Sequence, residues 1–398
     1  MKIAVIGTGI AGNVAAYYLS QEHDITVFEA NDYVGGHTHT HDIELDGRPY
    51  AVDTGFIVFN EWTYPHFIRL LKTLGVEFQP SPMSFSVKCE RTGLEYNGTT
   101  LNTLFAQRRN LLRPAFYRMI RDILRFNREA LQLLEVGDDH LSLGQYLAEQ
   151  GYSQPFIEHY IIPMGAAIWS ADPVQMHAFP AHFFVRFFHN HGMLSVNHRP
   201  QWYVIKGGSQ RYVERLTAPF RDRIRLKTPV VSIRRYPGSV KITTAGGHID
   251  HFEQVFLACH SDQALALLAD ASPLEREILR AIPYQENEAV LHTDAAVLPR
   301  QRLAWAAWNY HILRQNRGRV AVTYNMNILQ SLPAPSPLCV TLNYTDAIAP
   351  ERILRRMRYH HPVYTPGGVA AQCSAAPWGN QWAPAHLFLR GLLALWVS

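Results

Sequence analysis

A chain of 398 residues is long enough for two or three domains and for a core that needs no disulfide or metal staple. Its 47% hydrophobic and 18% charged residues describe a globular protein, and a net charge of +4 is too small to call for nucleic acid. Cys89, Cys259, Cys339 and Cys373 lie far apart without CxxC spacing, so they read as reduced thiols of a cytosolic protein; with no visible secretory signal and no run of about 18 apolar residues, neither export nor a transmembrane helix is expected.

Ile3 to Ile6 is a short apolar strand, Ala11 to Ser20 a helix, and Ile25 to Phe28 a second strand ending at Glu29. A parallel strand pair needs such a crossover helix, so the chain opens as a βαβ unit. Residues 62–82 predict a helix, a strand and a loop around Pro80 and Pro82. Apolar residues at helical spacing from Leu111 to Leu134 make residues 101–150 mainly helical. The aromatics and prolines of residues 153–200, among them Trp169, Phe183, Phe184, Phe187 and Phe188, suggest helices and loops of a cap or substrate region. Gly207-Gly208 precedes a helix from Arg211 to Leu216, and strands follow at Val230 to Arg234, Val240 to Thr244 and Val255 to Ala258. Residues 286–345 alternate as a second, mostly antiparallel sheet. Dinucleotide signals therefore flank a long insertion. The expected fold is α/β, with a discontinuous Rossmann-type FAD-binding domain (1–70 and 203–270, with 360–398) and a mixed α+β substrate domain (71–202 and 271–359).

Gly7-Thr8-Gly9-Ile10-Ala11-Gly12 follows a strand and opens a helix. Gly7 permits a tight turn, Gly9 lets backbone approach a pyrophosphate, and Gly12 lets helix and strand pack closely. The helix start at Ile10 and Ala11 then presents free N–H groups to the phosphates. Glu29 is placed to accept ribose hydroxyls, and its charge disfavours the 2′-phosphate of NADP. Gly35-Gly36-His37 lets the chain pass close to the diphosphate, a feature of FAD enzymes rather than simple NAD dehydrogenases; an ordinary turn is the competing reading. Asp53-Thr54-Gly55, with Phe56 next, follows at a spacing that brings backbone beside the flavin. Lys206-Gly207-Gly208-Ser209 reads equally well as a plain turn. Val230 opens the strand expected beside the adenine. FAD is the expected cofactor.

These motifs, with Asp53 to Asn60, Ala167-Ile168-Trp169-Ser170, Ala258-Cys259-His260-Ser261-Asp262 and Trp305-Ala306-Ala307-Trp308-Asn309-Tyr310, give the chain its resemblance. It resembles the flavin-containing amine oxidase and phytoene desaturase superfamily, and more closely a bacterial group of NAD/FAD-binding oxidoreductases. The resemblance runs from residue 1 to about 372. It implies an FAD-dependent oxidoreductase, a lipid acyl substrate of the methylated phospholipid kind, and a methyltransferase as pathway partner.

Near Gln372 the resemblance stops. Relatives close with a segment like Phe-Cys-Gly-Ala-Tyr-Trp-x-Tyr-Gly-Phe-His-Glu-Asp-Gly, which lies against the flavin. Here the chain reads Cys373-Ser374-Ala375-Ala376-Pro377-Trp378 and ends Leu395-Trp396-Val397-Ser398. His386 to Ser398 can be written in codons that, read one nucleotide later, give Thr-Phe-Phe-Cys-Gly-Ala-Tyr-Trp-Arg-Tyr-Gly-Phe-His. The expectation is a frameshift between about Gln372 and His386, and the DNA rejects it if no single-base shift restores the motif.

In such enzymes the isoalloxazine accepts a hydride while the protein orients, dries and polarises the site. Trp308, Asn309 and Tyr310 are the candidates for groups near the reacting carbon; no catalytic base is identified. Trp169, Trp202, Trp305 and Trp308 line an apolar tunnel or serve as core aromatics. His37, His39 and His41 alternate on one stretch that suits surface or phosphate-contacting histidines better than a metal, so no metal is expected. Arg108, Arg109, Arg113, Arg118, Arg121, Arg125 and Arg128 form either a solvated helix face or a surface for anionic headgroups. The expected location is cytoplasmic, with peripheral contact at the inner membrane face. Two other readings stay open: an amine oxidase acting on a soluble amine, and an inactive truncated flavoprotein.

Overall fold

The computed structural model describes residues 1–136 and 141–375. Residues 376–398, which hold most of the tail on which the frameshift expectation rests, lie outside the described residues.

Strand β1 (Lys2–Ile6) is buried from Ile3 onward. Helix α1 (Ile10–Leu19) carries the chain across to β2 (Asp24–Phe28). With β3 (Ile224–Arg225) and β4 (Gln254–Leu257) these strands form a parallel sheet in the order β3-β2-β1-β4. Side chains alternate across a strand, so β1 feeds two cores. Ile3 and Val5 pack with Ala16 of α1 and Phe220. Ala4 and Ile6 pack with Ile233, Ile242 and Phe252 of an antiparallel meander formed by residues 230–252. A strand apolar on both faces is what a covered parallel sheet requires.

Residues past 70 and past 270 also pack on these cores. Phe78 packs with Phe59, Phe67, Ile205 and Tyr212, and Leu279 joins the core that holds Ala4 and Ile6. A small sheet of Val58–Asn60, Trp202–Ile205 and Phe78–Ser81 bridges toward the second half.

The second half is built on a seven-stranded sheet. Its order is β9 (Ile353–Pro362), β5 (Tyr284–His292), β8 (Cys339–Leu342), β7 (Val322–Asn325), β6 (Trp308–Ile312), then Phe85–Cys89 and Glu95–Asn97. All pairs are antiparallel except β6 with Phe85–Cys89. Strand β9 was not foreseen, and it runs across the expected boundary at 359/360. Its Met357 and Tyr359 are buried while Arg356 and Arg358 are exposed, the pattern of a charged edge strand. Inside the sheet a polar chain crosses four strands: His292 Nε2 to Thr341 Oγ1 (2.7 Å), Thr341 to Thr323 (2.8 Å), and Thr323 Oγ1 to His311 Nε2 (2.8 Å).

Helices cover one face of this sheet. In α2 (Pro114–Glu129), Phe116, Met119, Asp122 and Phe126 recur at helical spacing and are buried. With Phe156, Trp169, Phe184, Phe188 and Tyr310 they form the largest core. Each such phenylalanine contributes about 1.5–3 kcal/mol by leaving water. Among the described residues, no helix is long and apolar enough to cross a membrane.

Candidate active site

β1 delivers the chain to Gly7, whose φ of +100° only glycine takes readily. A Cβ at Gly7 would lie 2.8 Å from the Ala258 carbonyl oxygen, and one at Gly12 only 1.9 Å from the Gly7 carbonyl oxygen. Gly9 is different, since its Cβ would meet nothing within 4 Å. Gly7 and Gly12 thus allow close packing, while Gly9 keeps a surface clear. α1 begins beside that surface with no side-chain cap. Its first-turn N–H groups, at Ile10 and Ala11, are left for an anion.

Glu29, just past β2, is 6% exposed. Its carboxylate accepts from Thr8 N (2.9 Å), the Thr8 hydroxyl, Asn31 N (2.9 Å) and Asn31 Nδ2 (3.0 Å). A ribose diol at this strand end would compete with the Thr8 hydroxyl and the Asn31 amide for this carboxylate. Lys227 N and Thr228 N donate to the carbonyls of Asn31 and Glu29, which brings Val230 to the same end of the sheet.

The second glycine pair closes over the first motif. A Cβ at Gly36 would lie 3.0 Å from Gly9 Cα. Residues 37–39 then run beside 54–56: Phe56 N donates to the His37 carbonyl (2.8 Å) and Thr54 N to that of His39 (3.0 Å). A Cβ at Gly55 would sit 1.9 Å from the His37 carbonyl oxygen, so this approach requires glycine. Asp53 locks the arrangement from beneath. Its carboxylate accepts from Ser209 N and Oγ, Thr40 Oγ1 and Gln330 Nε2, all at 2.6–3.0 Å. Burial pushes this carboxyl up to about 6, against the hydrogen bonds from Thr40 and Ser209, so it is ionised at neutral pH. The Lys206–Ser209 turn is therefore keyed to the cofactor loops.

Sequence reasoning missed the far side of the site. The His37 ring lies 5.3 Å from Tyr359, 5.7 Å from His361 and 5.8 Å from His260. Burial, then the neighbouring imidazoles, lower His37 to about 3 and His361 to about 4, so both are neutral at pH 7. The Tyr359 hydroxyl bonds Thr54 Oγ1 (2.8 Å) and His39 Nδ1 (3.1 Å). The available signal was the alternation Met357, Tyr359, His361. Among the described residues, no group of His, Cys, Asp and Glu is placed to hold a metal.

β9 continues into an aromatic shell. Pro362, Val363 and Tyr364 line a small void with Trp169, Ala171, Gln175, Met176 and Phe179; among the described residues no charged side chain lines it, and the Gln175 amide is its one non-aromatic polar side-chain group. Trp169 packs on Phe179 (4.5 Å between centroids) and Phe187 (4.9 Å), and Phe187 stacks on His191 (3.8 Å), which faces Trp202 (6.1 Å). Trp305 stands apart, its Nε1 donating to the Pro299 carbonyl.

The other candidates sit on β6. Asn309 is fully buried, and its amide accepts from Ala306 N (3.0 Å) and donates to the carbonyls of Ala306 (2.7 Å) and Thr323 (3.0 Å). That amide shapes a turn and is saturated. Tyr310 lies in the helical core, 3% exposed. Trp308 packs edge-on against Tyr324 (5.1 Å), and its buried indole N–H has no partner among the described residues.

A family model described as flavin containing amine oxidoreductase matches residues 10–296, well over half of the chain. The chain belongs to this family. FAD is its cofactor, and the clear surface over Gly9, the uncapped start of α1 and Glu29 at the strand end fit the diphosphate and ribose of that molecule. Among curated relatives, a 1-hydroxycarotenoid 3,4-desaturase of Flavobacterium sp. (strain P99-3) is 38% identical over 96 residues, 24% of this chain and 18% of the desaturase. A tryptophan 2-monooxygenase of Allorhizobium ampelinum is 36% identical over 107 residues, 25% of this chain and 14% of the monooxygenase, so the matches span less than a fifth of the length of either relative. Two solved structures share the fold across nearly the whole chain. A putrescine oxidase variant redesigned for cofactor binding has a TM-score of 0.69 at 16% identity, covering 100% of this chain and 95% of that one. A CLA-producing fatty acid isomerase from P. acnes has a TM-score of 0.67 at 17% identity, covering 99% and 95%.

Proposed function

We propose that this family member is an FAD-dependent oxidoreductase that removes hydride from an apolar substrate, a methylated fatty acyl chain carried on phospholipid. One observation carries this reading. The strand that brings Tyr359 and His361 to the cofactor loops leads directly into an aromatic shell without a charged lining. Dry aromatic walls suit an acyl chain; an ammonium would meet cation–π contact there but no counter-charge.

When bound, FAD supplies the hydride acceptor. The chain supplies the rest. The start of α1 and the surface over Gly9 hold the diphosphate, and Glu29 takes the ribose. His37 and His361, both neutral, can donate or accept a hydrogen bond at the cofactor rim. Trp169, Phe179 and Tyr364 keep water out beyond the end of β9, where the shell would have to open to admit an acyl chain. By its name, the carotenoid desaturase acts on an apolar chain, which supports the reading. The shared fold of putrescine oxidase does not select among substrates. A methyltransferase acting on acyl chains would supply the substrate.

The test is anaerobic reduction of the purified flavoprotein, followed by bleaching of its visible flavin band. Phospholipid with methyl-branched acyl chains, presented in mixed micelles, is expected to bleach it. Bleaching by putrescine but not by lipid would overturn the acyl reading and leave the flavoprotein assignment intact.

A further inference from the structure

Residues 96–121 contain Arg108, Arg109, Arg113, Arg118 and Arg121 and no aspartate or glutamate. The same segment holds apolar side chains out in solvent. Leu112 is 87% exposed, Leu111 47% and Tyr117 46%. These three line one open, shallow depression with Pro114, Arg118 and Arg121, where the short helix Arg108–Leu112 runs into α2. Along α2, Tyr117, Arg121, Leu124 and Arg128 recur at spacings of four, three and four. All four are exposed, on the side of the helix opposite buried Phe116, Met119 and Phe126.

The guanidinium groups of this segment are mostly not neutralised, and two of them, Arg108 and Arg109, are held by uncharged partners. Arg108 donates to Asn102 Oδ1 (2.7 Å) and the Phe105 carbonyl (2.9 Å), and Arg109 to Gln107 and the Gly93 carbonyl. Arg121 has a carboxylate near it, Asp122 at 3.6 Å. Among the described residues, the side chains of Arg113 and Arg118 have no hydrogen-bond or ion-pair partner.

We propose that this tip is a docking surface for an anionic phospholipid bilayer. Leu111, Leu112 and Tyr117 enter the boundary between headgroups and acyl chains, and the surrounding arginines engage lipid phosphates. Charge and shape select this occupant. A nucleic acid would match the arginines and leave the central leucines without a partner. A second copy of the chain, meeting this one through the same patch, would bring five more cations against the first five. The inference does not depend on what the enzyme oxidises.

Co-sedimentation of the full chain with vesicles tests it. Binding is expected with phosphatidylcholine vesicles that contain phosphatidylglycerol, and not with phosphatidylcholine alone, and it should weaken as salt rises. R113Q/R118Q should weaken it roughly twenty-fold, at about fivefold per arginine. R215Q/R276Q removes the same charge from exposed sites elsewhere and should leave binding unchanged. L111S/L112S should weaken binding at every salt concentration. All these side chains are partly or fully solvent-exposed, and unchanged melting curves will show that the variants fold. Equal loss in the two arginine pairs, equal binding to neutral vesicles, or no binding at all would overturn the proposal. So would a concentration-dependent dimer that L111S/L112S abolishes.

Discussion

Gly9 and Gly12 stand three residues apart, yet an added methyl group meets different surroundings at each. At Gly12 it collides with backbone 1.9 Å away; at Gly9 it enters open space. Gly9→Ala is therefore expected to keep the melting temperature of the flavin-free wild-type protein and to lose flavin, read as a folded protein without the visible absorption band. Gly12→Ala should lose about 3 kcal/mol or more of stability, measured by urea unfolding. A Gly9→Ala protein that keeps its full flavin complement would remove Gly9 from the diphosphate site. Asn309→Ala strips three hydrogen bonds from a buried turn and should cost about 1–3 kcal/mol, while turnover per folded, flavin-loaded molecule stays near wild type. A large fall in that turnover would give Asn309 a chemical role. The glycines were legible because a dinucleotide turn imposes its residue types locally. Tyr359 and His361 were not, because their partners in the cofactor loops lie more than 300 residues away in sequence.

At the scale of elements, β1 announced itself through an apolar run buried on both faces. β9 hid itself, because an edge strand studded with arginines looks like a polar loop until its partner β5 is known. The Gly207-Gly208 turn was ambiguous for a related reason. Its meaning comes from Ser209 reaching Asp53, and a contact between separate segments leaves no trace in local composition. Asp53 joins the strand Arg48–Asp53, this turn and the segment at Gln330. Asp53→Asn would turn an N–H group toward two or three of the four donors, depending on which oxygen it replaces, so a loss of about 2–4 kcal/mol is expected. Flavin should dissociate at lower urea than unfolding requires. Coincident loss of flavin and fold at the wild-type urea midpoint would show that Asp53 is not the tie between these segments.

Across the whole molecule, burial lowers His41, His292 and His361 to about 4 and His37 and His311 to about 3. In an unfolded chain such groups take up protons near pH 6.5. Between these limits the unfolded state binds more protons, so stability is full above about pH 6.5 and falls as pH drops toward 4. His292 and His311, 0% and 3% exposed, together approach about 3 kcal/mol per pH unit at the steepest point. The melting temperature should fall sharply from pH 6.5 to 4.5, and H292N/H311N should flatten that slope whatever its absolute stability. A wild-type profile flat across this range would mean that these imidazoles are already charged in the fold.

The long reach of the braces on the cofactor loops also sets a clock. Thr54 waits for Tyr359, 305 residues later, and Asp53 for Gln330, 277 later. At about 5–20 residues per second, a ribosome makes the glycine loops roughly 15–60 s before the strand that braces them. The nascent chain must pass that interval with its dinucleotide turn formed but unsupported, so flavin capture belongs to the last act of synthesis, and chains stalled before residue 330 should emerge colourless.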